Sequence, residues 1–217
     1  MDFEAARIRM VDNQVRTTDV TSHAILRAFL EVPREEFLPA SRRPLAYVDD
    51  DVPLGDGRYV MEPSPLAKLL QLAAIDKEDV VLDVGCNTGY SSAIISHLAG
   101  SVVSLEEDQA LAAAATENLA RLDYVTCAVV ENDLLEGCRA EAPYDVIVFQ
   151  GSVETLPTTF FDQMKAGGRM VVVRGSGNSA EALLYVKDDE GVVSERFAFN
   201  CSIKPLPSFR RKAEFVF

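Results

Sequence analysis

The sequence predicts an α/β fold with a mostly parallel, doubly wound sheet, antiparallel strands at its C-terminal edge and a helical extension at its N-terminus. The 217 residues, 48% of them apolar, are enough for one buried core. Between residues 80 and 174, short apolar runs alternate with segments of helical periodicity, the pattern of parallel strands joined by helices. Apolar residues before residue 33 recur at helical spacing, and those after residue 180 form short runs separated by turns.

The N-terminal part is expected to be two helices followed by an irregular cover. Residues 3–32 carry the two helical patterns, separated by Thr17-Thr18-Asp19. From Pro33 to Pro63 the density of proline and glycine excludes a long helix or a central strand, so an ordered loop or lid is predicted. Ser64 as N-cap and Pro65 in the first turn are expected to start the next helix. We expect residues 1–63 and 64–217 to belong to one domain.

The remaining elements follow from the alternation. Strands are predicted at 80–84, 101–106, 125–130, 144–149 and 169–174, with helices at 90–99, 108–122 and 158–164. Strand and helix in repeated order imply parallel crossovers. The tail is predicted as antiparallel edge strands at 183–186, 192–199 and 213–217.

Charge and cysteine content restrict the class of protein. The 34 acidic and 21 basic side chains give a formal charge of −13, which repels phosphate backbones and anionic lipid, so neither nucleic acid nor membrane is expected as a partner. Four cysteines without CxxC spacing predict no metal site and a reducing cytoplasm. No apolar window reaches a spanning length, and the N-terminus lacks a secretory apolar region. The sequence carries no signal for the oligomeric state.

The first strand-to-helix turn, from Asp83 to Gly89, is the candidate ligand loop. Open α/β sheets bind ligands at the carboxyl ends of their strands, where Gly85 lets the backbone approach a ligand and Gly89 opens a helix. Glu106 closes the next strand about twenty residues later, where a carboxylate accepts hydrogen bonds from ribose hydroxyls. A dinucleotide loop would need glycines where Asn87 and Tyr90 stand, so an NAD-dependent oxidoreductase is the weaker alternative.

The loop resembles the first motif of Rossmann-like S-adenosylmethionine methyltransferases. Asn87 replaces the usual middle glycine, and Asn tolerates a left-handed backbone. The resemblance implies that Asp133 faces the adenine amino group, that Leu134 flanks the ring, and that Gln150 lies between cofactor and acceptor. Cys86 is either a thiol activated at a helix N-terminus or a small loop residue. The expected cofactor-binding set is Asp83, Gly85, Cys86, Asn87, Gly89, Glu106, Asp133, Leu134 and Gln150.

Segments along nearly the whole chain carry a second resemblance. They are Met10-Val11 with Asn13-Gln14, the string VPREEFLP at 32–39, Leu45-Ala46-Tyr47, Pro53-Leu54-Gly55-Asp56-Gly57, Ser104-Leu105-Glu106, Ala142-Pro143-Tyr144-Asp145 and Gly167-Gly168-Arg169. In these the chain is similar to the protein-L-isoaspartate O-methyltransferase family, repair enzymes that methylate the misplaced carboxylate of isoaspartyl residues. The resemblance implies S-adenosylmethionine as cofactor, and a protein or peptide with an isoaspartyl or other carboxylate acceptor as partner.

The resemblance breaks at the segment that follows Gly57. The family reads Gln-Thr-Ile-Ser-Gln-Pro with Ser as the active-site residue, whereas this chain has Met61 at the Ser position. A thioether donates no hydrogen bond, and Glu62 adds negative charge where a carboxylate would dock. Arg58 and Tyr59 are the substitute catalytic candidates, because either can orient a carboxylate that needs no general base. Two hypotheses follow: a methyltransferase of this family, or a catalytically altered S-adenosylmethionine-binding protein that acts as a sensor or partner module.

Overall fold

The computed structural model describes residues 1–211, which form six α-helices and nine strands within that range. The helices are α1 (Phe3–Met10), α2 (His23–Glu31), α3 (Pro63–Ala73), α4 (Tyr90–Ser96), α5 (Gln109–Arg121) and α6 (Thr159–Asp162). The strands are β1 (Val52–Gly55), β2 (Arg58–Val60), β3 (Val80–Val84), β4 (Ser101–Glu106), β5 (Cys127–Glu131), β6 (Tyr144–Val153), β7 (Met164–Arg174), β8 (Glu181–Lys187) and β9 (Val193–Asn200).

Strands β3 to β9 form one sheet in the order β5-β4-β3-β6-β7-β8-β9. The pairs from β5 across to β7 are parallel, and β7-β8 and β8-β9 are antiparallel. The predicted doubly wound sheet with antiparallel edge strands is therefore confirmed. The chain winds outward from β3 through β5 and then resumes at β6 on the other side of β3. This reversal opens a crevice at the carboxyl ends of β3 and β6, the usual ligand site of such sheets.

Alternate residues of each central strand serve two separate cores, as the two-residue period of a strand requires. In β3, Val81 faces the core built with helices α1 to α5, whereas Leu82 and Val84 face the other. Among residues 1–211, the short α6 is the only α-helix in the second core, and Leu206 and Phe209 from the segment after β9 help to close it. The C-terminal segment thus covers a sheet face beside the crevice.

The region from Pro33 to Pro63 contains a hairpin that the proline and glycine pattern concealed. Strands β1 and β2 pair antiparallel, with Val52 opposite Val60. Asp56 and Gly57 form the turn with φ of 48° and 75°, the left-handed pair that a tight hairpin needs. The predicted loop or lid is therefore partly strand, and its second strand begins at Arg58.

Several predicted boundaries are corrected by the structure. Helix α3 begins at Pro63 and not at Ser64-Pro65, because proline fits the first helical position, where its missing N–H breaks no hydrogen bond, and the extended Glu62 takes the N-cap position. Strand β6 runs on to Val153, so Gln150 lies within it and not at its end, although its pairing with β3 stops at Phe149. The helix predicted at 158–164 is the single turn α6. The strand predicted at 213–217 lies outside the described residues.

Candidate functional site

The loop after β3 owes its shape to three left-handed residues. Gly85, Asn87 and Gly89 have φ of 79°, 55° and 95°. The amides of Gly85 and Cys86 both donate to the carbonyl of Leu105, at 2.9 and 3.0 Å, which fastens the loop to β4. The side-chain amide of Asn87 donates to the carbonyl of Gly85 at 3.0 Å. Asn therefore stabilises the conformation for which glycine is the usual residue.

Asp83 lies beneath this loop as a fully buried carboxylate. One of its oxygens accepts from the hydroxyls of Ser91 and Ser92 at 2.7 and 2.6 Å, and the other accepts from the amide of Gln150 at 2.6 Å. Burial raises the pKa of Asp83 to about 6, although the three donors oppose that rise. Asp83 thus joins β3, α4 and β6, and it holds Gln150 at the floor of the crevice.

Glu106, the expected ribose acceptor, already has a full set of partners. Its two oxygens accept from Nη1 and Nη2 of Arg58 at 2.7 and 2.5 Å. The same carboxylate accepts from the backbone amides of Asn87, Glu107 and Asp108 at 2.8, 3.0 and 3.1 Å. Arg58 is only 5% exposed, so this is a buried, bidentate ion pair. Sequence reasoning placed Arg58 on the acceptor side, whereas both of its Nη atoms here hold the cofactor-side carboxylate.

The segment after β9 crosses the carboxyl ends of β3 and β6 and fills the crevice. The amide of Ser152 donates to the carbonyl of Lys204 and the amide of Leu206 donates to the carbonyl of Ser152, both at 3.0 Å, which fixes the segment on β6. A methyl group built on Gly85 would lie 2.8 Å from a Leu206 methyl carbon, which measures how closely Leu206 covers the loop. Phe209 packs edge-on against Phe149, with ring centroids 5.5 Å apart. Sequence reasoning missed Leu206 and Phe209, whose only signal is an apolar pair among prolines outside any strand pattern.

The adenine-side candidates differ in exposure. Asp133 is exposed, and its carboxylate accepts from the amide of Leu135 at 2.8 Å, which shapes the turn after β5. Leu134 is fully buried in the same core as Phe209 and Leu206. A ring flanked by Leu134 therefore requires the packing around this buried side chain to open.

The acceptor-side candidates lie around two very small crevices. Met61, Asn87 and Gln150 help to line one, and Arg58, Gln150 and Leu206 help to line the other; each encloses about 10 Å³. Pockets for small-molecule ligands usually measure roughly 300–1,000 Å³. Larger grooves lie elsewhere, such as one of about 450 Å³ beside His23 and His97, whose lining includes none of the expected site residues.

Burial, hydrogen bonding and pKa distinguish the remaining candidates, which are Cys86, Met61, Glu62 and Tyr59. Burial raises the pKa of the Cys86 thiol well above its usual value, so the structure favours a small loop residue over an activated thiol. Met61 is buried, and its carbonyl accepts from Arg34 at 2.9 Å. Burial, reinforced by nearby Asp49 and Asp51, raises the pKa of Glu62 to about 6. Tyr59 is half-buried, and its carbonyl accepts from Asn87.

The donor and acceptor set fits S-adenosylmethionine, but the space for it is filled by the chain itself. Glu106 offers a preorganised carboxylate at the position expected for the ribose, and the left-handed loop lies at the switch point of the sheet. Arg58 and Leu206 occupy the adjoining volume. The residues therefore fit the cofactor in a conformation in which these two side chains have moved.

Comparison with known proteins gives the class and the family. A family model of protein-L-isoaspartate(D-aspartate) O-methyltransferase matches residues 6–209. The protein-L-isoaspartate O-methyltransferase of Koribacter versatilis is 36% identical over 204 residues, which cover 94% of this chain and 91% of that one. The Petrotoga mobilis protein of the same name is 30% identical over 207 residues, or 95% and 97%.

Two solved structures agree on the fold. A protein-L-isoaspartate O-methyltransferase superposes with a TM-score of 0.78 at 29% identity over 92% of this chain and 65% of that one. A Plasmodium falciparum chain, described as a candidate enzyme of that name in complex with S-adenosyl-L-homocysteine, has a TM-score of 0.79 at 16% identity over 96% and 99% of the two chains. Fold and strand-end loop together define an S-adenosylmethionine-dependent methyltransferase. Within that class, the chain belongs to the protein-L-isoaspartate(D-aspartate) O-methyltransferase family.

The described residues contain neither a candidate metal site nor a membrane-spanning helix. In residues 1–211, no three His, Cys, Asp or Glu side chains converge as a metal site. Over the same range, no helix is long and apolar enough to cross a membrane.

Proposed function

We propose that this chain transfers a methyl group from S-adenosylmethionine to the carboxylate of an isoaspartyl residue in a damaged protein or peptide. The observation that carries the proposal is the family match over residues 6–209, which includes both the cofactor loop and the segment from Arg58 to Met61. The four cysteines form no disulfide among the described residues, which agrees with the cytoplasmic setting that we propose. Residues 1–63 and 64–217 would act as one domain, because the N-terminal helices share a core with β3.

The proposed roles follow the strand ends. Gly85, Asn87 and Gly89 would shape the loop around the cofactor, and Glu106 would accept from its ribose. Asp133 and Leu134 would hold the adenine, with Asp83 and Cys86 supporting the loop from below. Bound S-adenosylmethionine supplies an electrophilic methyl group on a sulfonium, and an ionised carboxylate attacks it without a general base.

The acceptor carboxylate would be positioned by the residues that border the crevice. Tyr59 offers a hydroxyl and Arg58 a guanidinium, while Gln150 is kept in place by its bond to Asp83. Because a one-step displacement depends on alignment, exclusion of water and fixed side chains would supply most of the rate. The loss of the family's Ser at Met61 removes one donor and leaves these others.

The test combines cofactor binding with turnover. S-adenosylhomocysteine titrated into the full chain should release or absorb heat with saturable binding, and an isoaspartyl peptide should gain a methyl ester while the matching aspartyl peptide does not. Asp133→Ala should weaken binding, because it removes the expected partner of the adenine amino group. Absence of binding at high micromolar ligand would refute the proposal.

A second candidate function is cofactor binding without methyl transfer, favoured by Met61 and the acidic environment of Glu62. Negative charge at this point repels a carboxylate acceptor. Saturable S-adenosylhomocysteine binding with no methyl ester on the isoaspartyl peptide would support this sensor or partner-module function.

A further inference from the structure

The pair between Arg58 and Glu106 joins the two sides of the reaction that the proposed function requires. Glu106 is the expected ribose acceptor, and Arg58 is the expected partner of the acceptor carboxylate. In the structure each occupies the other, with Arg58 5% exposed and Glu106 fully buried. Neither can meet its substrate while the pair lasts.

The two partners depend on the pair to different degrees. Glu106 accepts hydrogen bonds from three backbone amides in addition to those from Arg58. These three bonds still stabilise its negative charge when Arg58 leaves. Arg58 has a buried Nε without any hydrogen-bond partner, although its Nη1 also lies 3.8 Å from Glu107. An unpaired buried donor destabilises the closed arrangement. The arginine is therefore the group suited to move.

Two features beside Arg58 bear on where its guanidinium can move when it leaves Glu106. It follows directly on the Asp56-Gly57 turn of the hairpin, and a methyl group built on Gly55 would contact nothing within 4 Å. Arg58 also borders the small crevice shared with Gln150 and Tyr59, to which Lys204 adds a second positive charge. Release from Glu106 thus leaves the guanidinium beside the side chains expected to face the acceptor.

We propose that Arg58 is a substrate-binding residue that exchanges Glu106 for the acceptor carboxylate when the cofactor's ribose takes over Glu106. The exchange orders the reaction: the cofactor binds first and releases the cation, and the carboxylate binds second. It rests on the proposed function, because it presumes ribose at Glu106 and a carboxylate acceptor. While Arg58 is paired with Glu106 it competes with the cofactor for that carboxylate, and once released it can bind the acceptor carboxylate.

Arg58→Gln tests the exchange because it should shift two affinities in opposite directions. The variant should bind S-adenosylhomocysteine at least about tenfold more tightly in calorimetry, since the competing closed state is lost. It should also raise the KM for the isoaspartyl peptide about tenfold or more, because the acceptor loses its charge-assisted partner. Arg58→Lys, with a point charge in place of the bidentate group, should give intermediate values for both.

Arg169→Gln is the matched control, because it removes another arginine–carboxylate contact, with Asp79, at the opposite end of the sheet. It should leave both affinities unchanged, even where it lowers stability. Unchanged or weaker S-adenosylhomocysteine binding by Arg58→Gln, with binding by the unmodified chain, would overturn the exchange and leave the proposed function intact. Absence of binding by both proteins would overturn the two proposals together.

Discussion

At the scale of single residues, Asp83 shows how burial makes a structural carboxylate sensitive to pH. Burial raises its pKa to about 6 in the folded chain, against 3.8 for an ordinary aspartate. The folded state therefore keeps a proton that the unfolded chain releases. The stabilising contribution is complete below pH 3.8 and is lost as the pH rises through 6, a change of about 3 kcal/mol.

Asp83→Asn should remove this dependence. The free energy of unfolding of the variant, relative to the unmodified chain, should rise by about 2 kcal/mol between pH 4 and pH 7, as measured by urea denaturation. Ser92→Ala removes a donor that favours the charged carboxylate, so it should steepen the fall in stability of the chain that keeps Asp83. Parallel pH profiles for Asp83→Asn and the unmodified chain would contradict the assignment.

Residues also mark where sequence reasoning stopped. Asn87 could be predicted to take a left-handed conformation, because that preference is local, and the structure has it at φ of 55°. The pairing of Arg58 with Glu106 could not be predicted, because it joins residues 48 apart along the chain through the folded hairpin and sheet. The sequence shows that residue 58 is a cationic arginine, but it does not show which carboxylate the side chain faces.

At the scale of elements, the spacing of apolar residues along the sequence predicted the central strands better than the segments that connect them. Strands β3 and β4 have the predicted bounds, because buried parallel strands are continuous apolar runs. The hairpin of β1 and β2 escaped notice, since its few residues lie among prolines and glycines that usually signal loops. The segment after β9 shows neither the apolar period of a helix nor that of a strand, and its burial depends on packing against β6.

Leu206→Ala tests whether that segment obstructs the cofactor. Removing a buried leucine should lower the free energy of unfolding by about 2–5 kcal/mol, and the space opened over Gly85 should tighten S-adenosylhomocysteine binding severalfold. Leu183→Ala is the control, because Leu183 is buried in the same core but belongs to β8. It should lower stability to a similar extent without changing the affinity. Equal affinities for all three proteins would show that Leu206 does not limit binding.

At the scale of the whole molecule, the charge of −13 bears on the choice of acceptor. Part of that charge lies beside the expected acceptor site. Asp51 accepts from the amide of Glu62 at 2.9 Å, and Glu62 directly follows Met61, which lines a crevice. A substrate carboxylate must approach through this negative field, so positive residues around it should offset the repulsion.

Isoaspartyl peptides with flanking lysines should therefore be better substrates than peptides with flanking glutamates. We expect kcat/KM to differ about tenfold at low ionic strength, and the ratio should approach one in about 0.5 M salt as screening removes the field. A variant with Asp49→Asn and Asp50→Asn should reduce the low-salt ratio, because both carboxylates lie near Glu62. A variant with Asp189→Asn and Glu190→Gln removes the same charge from the exposed turn between β8 and β9 and should preserve it. Equal kcat/KM values for the two peptides at low salt would show that the field does not select the acceptor.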